Sequence, residues 1–135
     1  MQQHIASPHG QASLGQQIRA LVEACYGSAR ESGWWDFLED GLDLTDKGVI
    51  NTHLLLICSE VTEAGEGIRK DLMDDHLPHR KMVEVELADV LIRTFQLAGA
   101  MGLDLGGAFA EKLKYNATRE DHKKEVRQRE GGKAY

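Results

Sequence analysis

The sequence predicts an all-α fold with a four-helix bundle at its core. Three observations lead there. Proline occurs only at Pro8 and Pro78, so the long stretches between them can be helical without a break. Apolar residues recur at three- and four-residue spacing in four segments, the period of one helical face. No segment shows the strict alternation of a half-buried strand.

The first helix is expected from about Ser13 to Glu31, with Leu14, Ile18, Leu21, Val22 and Cys25 on one face and Ser13 as N-cap. Gly33 closes it, and Trp34, Trp35, Phe37 and Leu38 form a short aromatic connection. The second runs from about Lys47 to Met73. Its predicted core stripe is Ile50, Leu54, Ile57, Val61, Ala64 and Ile68, which step by four and three throughout. Asp74 to His79 reads as a loop, with Pro78 as its stop signal. The third helix spans about Arg80 to Met101 and is apolar around most of its circumference. Gly102 follows it as a good C′ residue. The fourth begins near Asp104, a fair N-cap, and reaches about Arg119, with Leu105, Phe109 and Leu113 on its apolar face.

The chain of 135 residues fits a single domain. Residues 1–12 are expected to be a flexible N-terminal segment, 13–119 the helical domain, and 120–135 a charged, frayed tail. The formal net charge of −6 argues against polymeric nucleic acid as a partner, which needs a basic surface. It leaves small phosphorylated ligands open, because a divalent metal can bridge acids to phosphates. No apolar run approaches a membrane span, and the first fourteen residues lack the apolar centre of a secretory signal. Cys25 and Cys58 sit in apolar helical patterns without metal-ligand spacing, so a reducing cytoplasm is the expected location.

The informative residues are acids placed where apolar side chains are expected. On the second helix, Glu60 and Glu63 lie three apart, in a strip with His53, Leu56 and Gly67 beside the core stripe. On the third, Glu86 and Asp89 repeat that spacing, in a strip with Met82, Arg93, Gln96 and Ala100. Two such helices packed side by side would converge four carboxylates, which repel one another unless solvated or neutralised by a cation. Oxygen-only ligands suit Mg²⁺ or Mn²⁺ rather than Zn²⁺. No E-x-x-H motif is present, which argues against a carboxylate di-iron bundle. The plain alternative is a pair of wet helix faces, since solvated acidic strips are common.

Over roughly residues 29–119 the chain resembles the MazG-like branch of the all-α nucleoside triphosphate pyrophosphohydrolase superfamily. The resemblance rests on Ser59-Glu60-Val61-Thr62-Glu63-Ala64, on Glu86-Leu87-Ala88-Asp89-Val90-Leu91 and on Lys112-Leu113-Lys114-Tyr115-Asn116-Ala117-Thr118-Arg119, with Gly33-Trp34-Trp35-Asp36 upstream. It implies a four-helix core of that type, oligomeric as a homodimer or homotetramer, and Mg-dependent hydrolysis of an NTP or dNTP to monophosphate and pyrophosphate. It implies Glu60, Glu63, Glu86 and Asp89 as metal ligands and catalytic acids, with Mg²⁺ as cofactor and Mn²⁺ as a substitute. It further implies Lys112 and Asn116 as triphosphate or metal-shell contacts. Val85 stands where an acid commonly precedes Glu86, so the residue that activates water is left open; Glu66 and Glu84 project away from both strips.

Trp34 and Trp35 are candidates to stack on a nucleobase, the bland alternative being core anchoring. His53 shares the Glu60 strip, with a structural role as its ordinary reading. Arg93, four after Asp89, reads as an ion-pair partner for that acid. Arg119 can anchor the end of its helix. His76 and His79 flank Pro78 without a further metal ligand in view. Two other functions compete: a non-catalytic helical module that binds a nucleotide or partner, and a phosphoribosyl-ATP pyrophosphohydrolase. The aromatic segment and the Tyr115-Asn116 pair fit the latter branch less well.

Overall fold

A computed structural model of the chain describes residues 8–38, 43–119, 123–129 and 131. Those residues are all-helical, in the order α1 (Pro8–Glu31), a 3-10 turn (Asp36–Leu38), α2 (Lys47–Lys70), α3 (Met82–Ala100), α4 (Leu105–Thr118) and α5 (Lys124–Arg127). No strand forms among them; Met73 and Lys81 make an isolated antiparallel bridge. Helix α1 begins at Pro8 rather than at Ser13, as proline's fixed φ and missing N–H allow at a first turn. Residues 1–7 of the expected N-terminal segment lie outside the described residues. Within the expected tail, Lys124–Arg127 forms a single short helix.

The chain divides into two compact units, Leu21–Leu103 and the pair of segments Met1–Ala20 and Asp104–Tyr135. In the first, α2 packs on α3. Asp46 caps α2 by accepting from the Gly48 N–H at 2.7 Å. Asp71 ends that helix with a left-handed φ of 52°, three residues earlier than the periodicity suggests. Lys81 Nζ then holds the Asp71 carboxylate at 2.5 Å across the connection, and the Met82 N–H donates to Leu72 O at 3.0 Å. Gly67 lets the two helices meet closely: a Cβ there would stand 3.0 Å from Met82 Cβ. This tight return fixes the register in which α3 runs back along α2.

The buried centre of this unit is Ala29, Trp35 and Leu97, with Tyr26, Phe37, Leu38 and Ile57 packed against it. The stripe predicted for α2 packs only along one edge, where Ala64 is buried and Ile57 lies against the centre. Leu54, Val61 and Ile68 are exposed, whereas Glu60, Ala64 and Gly67 are buried. At 100° per residue the buried face is turned by roughly 70° from the predicted stripe toward the acidic strip. Periodicity locates an apolar face, but only packing decides which flank of it the neighbouring helix covers.

In the second unit, the first half of α1 meets α4 where both carry glycine. A Cβ on Gly15 would stand 3.4 Å from Gly106 O. Arg19 Nε pairs with Asp104 Oδ1 at 3.2 Å beside this crossing, and Asp104 also caps α4 through the Gly107 N–H at 3.0 Å, as its sequence position predicts.

Candidate functional site

The acids that interrupt the apolar pattern of α2 and α3 do converge. Carboxylate oxygens of Glu60, Glu63 and Glu86 all lie within 4.8 Å of one another. Glu60 and Glu86 are buried, at 6% and 7% exposure, and Glu63 opens to solvent. This follows from the turned packing of α2, which draws the acidic strip against α3. Among the described residues no histidine or cysteine joins the group.

Electrostatics bear out the crowding. The Glu86 carboxyl is pushed up to about 7, first by burial, then by a hydrogen bond with Glu60 and by the charges of Glu63, Glu60 and Asp89. Asp89 is also raised, by burial and by the Glu60 charge, with Arg93 acting in the opposite sense and Asp74 adding to the rise. Asp89 is outside the group of three whose oxygens meet, and it faces a neighbouring cleft. A cluster of this kind holds its acids together by retaining a proton or by taking a cation. Its donors are all oxygens, at a separation that one small hard cation can bridge, so they fit Mg²⁺ or Mn²⁺.

Arg93 departs from expectation. Its Nε donates to Glu60 Oε1 on the other helix, at 2.5 Å, rather than pairing with Asp89 on its own. A spacing rule within one helix cannot see this, because the partner comes from packing.

The cleft, of about 240 Å³, is lined by Trp34, Trp35, His53, Leu56, Asp89, Ile92, Arg93 and Gln96. It abuts the acid cluster through Asp89 and Arg93. Its aromatic wall is ordered by stacking. The His53 ring lies 4.6 Å from that of Trp35 with 19° between planes, and 5.8 Å from that of Phe37 at 23°. Burial, then the Arg93 charge, lowers the His53 pKa, so the ring is neutral at pH 7. The two tryptophans divide their roles. Trp35 is a core residue, 4% exposed, meeting Tyr26 edge-on at 5.8 Å. Its buried indole Nε1 has no hydrogen-bond partner among the described residues. Trp34 is 74% exposed and presents its ring at the cleft.

Lys112 and Asn116 lie on α4, in the other unit. There Lys112 Nζ stands 4.8 Å from the Tyr115 ring centroid and Arg119 5.9 Å from it. Asn116 Oδ1 is buried without a hydrogen-bond partner among the described residues. Glu66 is engaged by Arg69 and Lys70 on its own helix, and Glu84 by Arg80 at 3.8 Å, in line with their reading as outward-facing acids.

Two residues escaped the sequence reading. Gln96 shares the acidic strip of α3, where its spacing points to no role, and it lines the cleft. Asp74 is buried, accepts the His76 and Leu77 N–H groups at 2.9 and 2.6 Å, and adds its charge to the surroundings of Asp89. An aspartate opening a loop is the signal for such a turn; its burial was not readable.

No described helix is long and apolar enough to cross a membrane. Comparison with family models, with curated proteins and with solved structures gives no match for this chain.

Proposed function

We propose that this chain is a Mg-dependent nucleoside triphosphate pyrophosphohydrolase of the MazG-like kind, acting at the α2–α3 face. One observation carries the reading: acids from two helices, two of them buried, bring their oxygens within 4.8 Å beside an aromatic cleft. Wet helix faces do not bury glutamates at 6% and 7% exposure. The cleft supports the same reading, since a neutral His53 on Trp35 and the open Trp34 ring form a wall for a flat base.

In this reading Glu60, Glu63 and Glu86 hold the cation, and Asp89 stands between it and the cleft. A bound Mg²⁺ supplies charge neutralisation for the triphosphate and lowers the pKa of water. The protein's own contribution is placement. Glu86 yields its proton as the cluster takes up positive charge, while the rings of Trp34 and His53 orient the base and exclude water from one side. That Lys112 and Asn116 contact the triphosphate rests on the sequence resemblance alone. So do assembly into a homo-oligomer of that family's kind and a cytoplasmic location.

The test is a screen of NTPs and dNTPs with Mg²⁺, detecting monophosphate and pyrophosphate. In ¹⁸O-water the label should enter the monophosphate, since attack is expected at the α-phosphorus. Orthophosphate and NDP as first products refute the assignment. Metal binding with no turnover of any nucleotide leaves a binding module instead.

A further inference from the structure

We infer that Arg93 is a phosphate-binding residue, the group that holds the phosphate adjoining a nucleoside seated in the aromatic cleft. The inference rests on the nucleotide reading of that cleft and adds to it a cation that the sequence motifs do not supply.

The argument starts from where the guanidinium stands. Arg93 lines the cleft and, through Nε, also bonds Glu60 of the acid cluster. It therefore sits at the boundary between the aromatic wall and the carboxylates. Nε accounts for one of the five N–H groups of the fork, and the outer nitrogens make no hydrogen bond to another described residue. The side chain is 40% exposed, while its partner Glu60 is 8% exposed, so the fork reaches solvent on the cleft side.

Charge narrows the role. His53 is neutral at pH 7, which leaves Arg93 as the single cation among the described residues that line the cleft. Asp89, also in the lining, repels an anion. A ligand that places an aromatic ring against Trp34 and His53 and carries an adjacent anion has one residue there to meet it. Arginine is suited to this, since its planar fork takes two phosphate oxygens at once. Positive charge taken up by Glu60, Glu63 and Glu86 weakens the hold of Glu60 on the guanidinium and frees it for the phosphate. The same Coulomb argument gives an opposite sign for the metal: removing the Arg93 charge favours binding of a cation to the acids.

The experiment titrates the common ribonucleosides and deoxyribonucleosides and their 5′-monophosphates, with Mg²⁺ present, following tryptophan fluorescence. In the wild-type chain at least one monophosphate should bind about tenfold or more tighter than its nucleoside, roughly 1.4 kcal/mol. In Arg93→Gln that increment should collapse to within about twofold, with nucleoside affinity unchanged and Mg²⁺ alone bound at least as tightly as in wild type. A merely structural arginine would weaken all three. An increment that survives in Arg93→Gln, an equal loss for nucleoside and monophosphate, weaker Mg²⁺ binding, or no monophosphate binding to wild type each overturns the inference. Should Arg93→Gln not fold, the wild-type chain still decides. The Nε–H resonance that is missing from Arg93→Lys should shift with monophosphate and not with nucleoside; a resonance that stays put overturns it. Turnover is scored separately. If no triphosphate is hydrolysed, the pyrophosphohydrolase reading fails while the phosphate increment still stands or falls by itself.

Discussion

Helices α2 and α3 carry two faces of inverted polarity. On the inner one, Glu60 and Glu86 are buried; outside it, Leu54, Val61 and Ile68 of α2 and Leu87 and Leu91 of α3 are 46% to 67% exposed. Stability alone would exchange them, since an ionised carboxylate loses by burial what a leucine gains. The acids of the inner face therefore cost stability, and the raised Glu86 carboxyl reflects their crowding. The outer face poses the converse problem. Apolar stripes of this length in water await cover, and a second copy of the chain, packed isologously, is the cover we propose.

The largest effect should come from breaking the inner face. Glu63→Gln keeps the side chain's size and removes its charge, at a position already open to solvent. It should lower kcat/KM by at least about 100-fold, near 3 kcal/mol, with helicity unchanged by circular dichroism. Excess chelator should abolish turnover in wild type, and Mg²⁺ or Mn²⁺ should restore it. Undiminished turnover in Glu63→Gln, or in chelator, removes these acids from the site.

The outer face is tested next. Leu91 is 55% exposed, so a lysine there costs the isolated chain little. If a second copy covers it, Leu91→Lys forfeits about 2 kcal/mol or more of apolar burial in each copy, about 4 kcal/mol per dimer, and the dimer should dissociate about 1000-fold more readily. Light scattering at micromolar concentration should show an oligomer for wild type and a shift toward monomer for the variant. A wild-type monomer with full activity removes the oligomer and leaves the inner face untouched.

The two faces also differ in how far the sequence revealed them. Glu60, Glu63 and Glu86 were legible because each interrupts an apolar helix at three-residue spacing, and an interruption is a strong signal. The α2 core stripe is right only along one edge, at Ile57 and Ala64, because Leu54, Val61 and Ile68 match the helical period as well as buried residues do. Period alone does not distinguish an apolar row facing a neighbour within the chain from one that the chain leaves exposed. Arg93 was assigned to Asp89 because only contacts along a single helix can be read from spacing, whereas Glu60 lies across the interface. Trp34 and Trp35 are adjacent and alike in sequence, yet one is 74% exposed and the other 4%; the turn after Gly33, with its φ of 79°, separates them.

That separation gives a middle-sized prediction. Trp34→Ala should raise KM about tenfold, the loss of one base–aromatic stack at roughly 1–2 kcal/mol, with little change in melting temperature. Trp35→Ala should do the reverse, lowering the melting temperature by many degrees because it empties the centre shared with Ala29 and Leu97. If Trp34→Ala leaves KM unaltered, base recognition lies elsewhere.

The smallest effect reads the strain on the inner face directly. Glu86 is raised from an ordinary 4.5 to about 7 in the folded chain. Between those values the native state holds a proton that the unfolded state has released, so Glu86 makes unfolding free energy fall as pH rises through that window. Its contribution is fully present below about 4.5 and is lost above about 7. Asp89, raised as well, acts in the same sense. His53 acts in the other: its lowered pKa favours the neutral ring, so its contribution is present above about 6.5 and lost as pH falls. A wild-type stability curve therefore mixes opposing slopes, and a difference is needed. Glu86→Gln cannot ionise and keeps the shape. The melting-temperature gap between Glu86→Gln and wild type, in chelator, should widen in favour of the variant from pH 5 to pH 8. Discounted for the solvent that reaches the cluster through Glu63, the change should be about 1 kcal/mol, or some 4 °C for a domain of this size. Added Mg²⁺ should close the gap at pH 8 by raising the wild type alone, since a cation relieves the same repulsion that the proton did. Parallel curves with and without Mg²⁺ would mean that Glu86 is comfortable where it lies, and the buried acids would lose their claim to be a strained, cation-seeking site.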